Sequence, residues 1–296
     1  MKRILFLFIA AFTILNASKQ ELTVSISPQK YFVQKIVKDK FDINVMVKPG
    51  ASPHTYEPKS SQMKSLANSK IYFYTGVSFE NAWLDKFKLS AKNTIFVDTA
   101  VGIEKLAMEA HSHEGEGEAH DEHKDEAKHD HENEALDPHI WLDPILVKIQ
   151  AKNIYEAIVK IDSVNSEFYK TNYEEFLKEL DLLNNELETI LKPYEKRAFM
   201  VFHPSWGYFA KRYNLEQISV EVEGKEPKPN ELVELIKDAK IHDIKIVFVS
   251  PQFSQKTAKT ISSSINAKVV SIDALDENWA SSILSTAKEI ANSYTK

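Results

Sequence analysis

The chain has no cysteine, which excludes disulfides, thiolate metal ligands and a lipid-modified N-terminal cysteine. Any metal centre must then be built from His, Asp and Glu. Glycine is scarce too, with seven in 296 residues. Neither GxxxxGK[ST] nor GxSxG occurs, and HExxH is missing, so phosphate-cradling loops, nucleophile elbows and the zincin signature are excluded. Basic residues form no clustered face of the kind nucleic acids need, and nucleic acid is not an expected partner. Beyond the N-terminus no stretch approaches the roughly 20 apolar residues of a membrane span.

The N-terminus itself reads "MKRILFLFIAAFTILNASKQ". A basic tip (Lys2, Arg3), an apolar run from Ile4 to Leu15 and the small residues Ala17 and Ser18 make a cleaved secretory signal over residues 1–18. The mature chain is therefore expected to work outside the cytoplasm, in the periplasm.

What the chain has in excess is local. "HSHEGEGEAHDEHKDEAKHDHENE" (111–134) holds six of the ten histidines. From Glu109 to Glu134 eleven acids face two lysines, about −9, against −6 for the whole chain. The remainder is thus mildly basic, and the acidity says nothing about partners of the globular part. With so few apolar groups the segment 109–135 is expected to be a disordered loop on the first lobe. Its histidine pairs, such as His111/His113 and His129/His131, suit weak capture of several cations.

Elsewhere short β-rich runs alternate with amphipathic stretches. Strands are expected at 22–27, 43–48, 71–76 and 94–98, and again at 198–202, 217–222, 244–250 and 267–273. Helices are expected between them, in the second half at about 205–213, 229–241, 253–265 and 277–293. Near-continuous apolar strands alternating with helices imply parallel sheets covered on both faces, an α/β fold in two (βα)-type lobes, 19–164 and 193–296. Between them, Asn165 to Tyr194 carries Phe168, Tyr173, Phe176, Leu180, Leu183, Leu187 and Ile190 at helical spacing. This predicts one long helix within 165–192, of about 26 residues and roughly 39 Å. It reads as a rigid interlobe strut; a coiled-coil dimer would need a longer seam, so a monomer is expected.

Four histidines lie outside the acidic tract. His54 ("VKPGASPHTYEP") and His203 ("FMVFHPSWGYF") follow predicted strands, His139 ("LDPHIWLDP") precedes a helix, and Asp273 closes "VVSID". Loops beyond strand C-termini line the crevice where α/β folds bind ligands, so these four could converge between the lobes. His242 ends a helix, where a cation favours the dipole, and is set aside.

With "PGASPHTYEPKSSQMKSLANSKIYFYTG", "DPHIWLDP", "FHPSWGYFAKRY", "ELIKDAKIHDIKIVFVSPQFS" and "SIDAL", the chain resembles the cluster A-I solute-binding proteins of ABC metal importers, over about residues 20–296. The resemblance implies metal ligands at His54, His139, His203 and Asp273, a membrane permease as partner, and Zn(II) as transported ligand. Histidine at the third anchor is the zinc-type choice, and three imidazoles with one carboxylate suit four-coordinate Zn²⁺ better than Mn²⁺. A manganese- or iron-binding protein of the same class, a metal-dependent adhesin and a zinc hydrolase are the alternatives. No enzymatic activity is expected. Unperturbed imidazoles titrate near pH 6.5, so zinc binding is expected to weaken from about pH 7 to 5.

Overall fold

A computed structural model of the protein describes residues 19–108, 136–221 and 225–295. The expected signal segment and the whole histidine-rich tract lie outside the described residues. Among the described residues no helix is long and apolar enough to cross a membrane.

The first lobe runs β1 (Gln20–Val24), α1 (Ser27–Val37), β2 (Phe41–Val45), α2 (Ser60–Asn68), β3 (Ile71–Tyr74), α3 (Ser78–Ser90) and β4 (Ile95–Asp98). After it come α4 (Pro144–Ile161) and α5 (Ser166–Leu191). The second lobe continues with β5 (Ala198–Val201), α6 (Gly207–Arg212), β6 (Glu216–Ser219) and α7 (Pro229–Ile241). It closes with β7 (Ile246–Val249), α8 (Lys256–Ile265), β8 (Lys268–Ser271) and α9 (Trp279–Tyr294). Each lobe holds one four-stranded sheet, ordered β2-β1-β3-β4 and β6-β5-β7-β8, and every pairing is parallel. The expected α/β fold with two parallel-sheet lobes and one long connecting helix is what the chain forms.

Local chemistry explains the boundaries. At α4 the Asp143 carboxylate accepts from the Ile145 N–H at 2.8 Å and Pro144 fills the first turn, where its missing donor costs nothing. Pro229 opens α7 in the same way, and Glu231 reaches back to the Lys228 N–H at 2.7 Å. α8 stops at Asn266, which takes the left-handed conformation at φ 54°. Several strands end before their apolar runs do. Ser25 and Ile26 instead turn into α1, their N–H groups facing the Gln29 amide oxygen at 3.0 and 3.4 Å.

The helix α5 does more than span a gap. It buries Tyr169, Phe176, Leu180, Leu187 and Leu191 and packs on α4 and α1 of the first lobe and on α9 of the second. One apolar core runs through both lobes as a result, from Phe32 and Val33 to Phe199, Phe248 and Ile283. At its centre the Trp279 ring meets Phe32 edge-on at 5.0 Å. The Trp141 indole N–H donates to the Ala274 carbonyl, and the Trp279 indole N–H to the Trp141 carbonyl, each at 2.7 Å. Arg212 of α6 adds a two-pronged bond to the buried Asp143 carboxylate, at 2.9 and 2.7 Å.

Candidate metal centre

The cleft between the sheets is lined by strand ends. β2 leads into the loop bearing His54, β3 leads to Ser78, β5 to His203, β6 to Glu221, β7 to Gln252 and β8 to Asp273. His139 arrives on the irregular segment Asp137–His139, which leads through a short 3-10 helix (Ile140–Leu142) into α4. Ligating nitrogens of His54, His139 and His203 all lie within 4.8 Å of one another, and among the described residues no other such group of His, Asp and Glu forms. The cavity they face holds about 30 Å³ of free space, enough for one ion and little more. Val77, Trp141, Phe253 and Leu275 give it an apolar wall, and the Phe253 ring stacks on His203 at 5.4 Å between centroids.

Each imidazole is aimed by a partner on its other nitrogen. His139 Nδ1 lies 2.6 Å from Asp137 Oδ1 and His203 Nδ1 lies 2.7 Å from Glu221 Oε1. An ionised carboxylate only accepts, so both rings carry hydrogen on Nδ1 and present the Nε2 lone pair to the cavity. His54 Nδ1 instead meets the Ser78 hydroxyl at 2.9 Å, and its Nε2 lies 3.0 Å from His203 Nε2. Because a hydroxyl both donates and accepts, Ser78 accommodates either tautomer of His54. With Nε2–H the ring donates to His203; with Nδ1–H it turns the Nε2 lone pair inward. Ser78 therefore orients His54 without fixing its proton.

The electrostatics favour the neutral form of His54 and His139. Although part of His54 is exposed at the rim, its Nε2 points at His203. Burial of that tip, with His203 and His139 nearby, pushes its pKa down to about 4. Burial also lowers the pKa of His139, with Asp137 opposing the shift. Imidazole nitrogens facing one small cavity with two carboxylates behind them can hold a divalent cation, since the carboxylates supply charge while the nitrogens supply the bonds.

Asp273 lines the same cavity but is not among the groups that meet within 4.8 Å. Its Oδ1 accepts from the Gln252 side chain and from the Leu275 N–H, each at 2.9 Å. His242 caps α7 at the surface beside Glu216, 3.1 Å away. Sequence reasoning misses Ser78, Asp137 and Glu221. Asp137 stands two residues before His139, and Glu221 is an acid at the end of an apolar strand, but neither pattern alone identifies an imidazole partner.

The family model for the periplasmic zinc-uptake complex component A matches residues 22–293. The high-affinity zinc uptake system protein ZnuA of Bacillus subtilis (strain 168) is 31% identical over 265 residues, 88% of this chain and 80% of its own length. A crystal structure of a ZnuA superposes with a TM-score of 0.82 at 41% identity, covering 93% of this chain and 98% of that one. A ZnuA deletion mutant with zinc bound gives 0.82 at 40% identity, covering 94% and 99%.

Proposed function

Since the chain belongs to the family of periplasmic zinc-uptake components, we propose that it captures Zn(II) through His54, His139 and His203 and hands it to the membrane permease of an ABC importer. Residues 1–18 act as the signal that exports it, and the mature protein works in the periplasm as a monomer. Its two lobes, 19–164 and 193–296, are joined by the helix over 165–192. It is a carrier, not a catalyst. The ion is cargo.

One observation carries this reading: three imidazole nitrogens from three separate segments converge within 4.8 Å, and each ring is held from behind by an oxygen. Three neutral nitrogens favour Zn²⁺ over Mn²⁺, which prefers more oxygen. Asp273 serves as fourth ligand by exchanging its bond to Gln252 for the ion. A sphere closed in this way leaves no open position for a reacting water, as hydrolysis would require.

Chelator competition on the mature protein lacking 111–134 tests the assignment. His54→Ala, His139→Ala and His203→Ala should each weaken zinc binding by more than about 100-fold, beyond the loss of an outer partner. Asp273→Ala should cost less, because water can take its place. Unchanged affinity in the three histidine variants would overturn the assignment.

A further inference from the structure

Tyr208 is the second residue of α6, in the second lobe, yet its hydroxyl reaches across to the segment that carries His139. It donates to the Asp137 carbonyl and accepts from the Leu106 N–H, both at 2.9 Å. Leu106 and Asp137 are themselves joined, the Asp137 N–H donating to the Leu106 carbonyl at 2.8 Å. Beside them Ala107 and Leu136 form an antiparallel bridge. The segments flanking 109–135 are thus tied to each other by backbone bonds and to the opposite lobe at a single oxygen.

Asp137 is the residue so fixed, and it grips His139 twice. Its Oδ1 accepts from the His139 N–H at 2.9 Å and from His139 Nδ1 at 2.6 Å. The neighbour of Tyr208 bears on the same carboxylate: a Cβ on Gly207 would stand 3.2 Å from Asp137 Oδ2. Two consecutive residues of α6 therefore set where Asp137 sits, one through its backbone and one through its side chain. The Tyr208 ring is buried against Ala100 and Ile140. That burial pushes its pKa up to about 12, so the hydroxyl keeps its proton at any ordinary pH.

We infer that Tyr208 is a positioning residue for zinc binding, which holds the imidazole of His139 in register through Asp137 and makes the second lobe responsible for a ligand of the first. The inference rests on the reading of His139 as a zinc ligand. It accounts for a tyrosine hydroxyl placed between two backbone groups of another lobe, where a phenylalanine would fill the same apolar space.

The mature protein and its Tyr208→Phe, Gly207→Ala and His139→Ala variants decide the point, with Zn²⁺ affinity from chelator competition and Co²⁺ as a spectroscopic probe. Tyr208→Phe keeps the ring and removes one hydroxyl. It should weaken zinc binding about three- to tenfold, the equivalent of one net hydrogen bond. It should also shift the Co²⁺ d–d bands of the saturated protein. Gly207→Ala loses no hydrogen bond but displaces the Asp137 carboxylate, and should shift the same bands. It also keeps the test open if Tyr208→Phe folds poorly. Parent-like bands and affinity in both variants would overturn the inference. So would a lower melting temperature with unchanged bands, since that would mean packing alone. If His139→Ala bound as tightly as the parent, the ligand assignment itself would fail, whatever Tyr208 did.

Discussion

His203 Nδ1 sits 2.7 Å from Glu221 Oε1, and both side chains are at least nine-tenths buried. Burying a carboxylate costs several kcal/mol unless it is well partnered, and here the partner is a ring aimed at the cavity. Glu221→Ala should therefore leave the fold intact and weaken zinc binding by about 10- to 100-fold, the usual cost of losing an outer partner of a metal-bound histidine. Glu221→Gln, which still accepts a hydrogen bond but carries no charge, should fall between. Chelator competition reads both, and equal affinity in all three proteins would show that His203 needs no such support.

The pH response should differ from that of ordinary imidazoles. His54 titrates near 4 in the folded protein, against about 6.5 in an unfolded chain. Between those values the unfolded chain binds more protons, so metal-free stability is complete above about pH 6.5 and is lost as pH falls toward 4. His139, also lowered by burial, adds with the same sign. Protons then compete with zinc at these two proposed ligands only below the ordinary range, and the weakening expected between pH 7 and 5 should move downward. Three unperturbed imidazoles would release more than about two protons on binding zinc at pH 6. On the protein lacking 111–134, calorimetry in buffers of different ionisation enthalpy should find fewer. A count above two would refute the lowered values.

Arg212 and Asp143 tie the lobes together at 2.7 and 2.9 Å, and the carboxylate is buried while the guanidinium is partly exposed. Arg212→Met should lower stability by about 2–4 kcal/mol, because a buried charge is left unpaired. Urea unfolding of the metal-free protein measures it. The double variant Arg212→Met/Asp143→Asn should recover part of the loss. No recovery would mean that the arginine acts through its packing.

Removing 111–134 should spare the tight site and lower total zinc stoichiometry. Ala107 and Leu136 pair across the base of the excised stretch, and the residues left over, 108–110 and 135, are enough for a short hairpin connection. Equilibrium dialysis gives the stoichiometry and competition the affinity. Loss of tight binding in the deletion, with the three histidines untouched, would make the tract the principal site.

Much of this is legible in the sequence because it is local. The expected helix 229–241 coincides with Pro229–Ile241, since a proline and a back-reaching glutamate mark its start. The long helix is readable from its apolar spacing and ends within a few residues of expectation at Leu191. The rule that strand C-termini face the crevice brings His54 and His203 there, whereas His139 precedes a helix and joins them in the sequence reading through the family resemblance. What is not legible depends on direction and on partners distant in sequence. Asp273 stands at the expected strand end, but its hydrogen bonds to Gln252 and Leu275 decide where its oxygens point. Ser78 and Glu221 reveal their roles only once two loops have been folded against each other.

The paired indoles of Trp141 and Trp279 bear on how fast cargo is exchanged. Parting the lobes would break both indole–carbonyl bonds and pull Trp279 away from Phe32. At roughly 1.5–3 kcal/mol per large apolar side chain exposed, with about 1 kcal/mol for each bond, the parted form costs at least about 4 kcal/mol. It is then held by roughly one molecule in a thousand. The loop that carries His54 is held more lightly, by turns such as Ala51 to Lys48 and Thr55 to Ser52 and by the His54 N–H donating to the Ser52 hydroxyl at 3.2 Å. Under the proposed ligand assignment, unloading at the membrane would need one imidazole lifted at the rim, a far smaller displacement than parting the lobes.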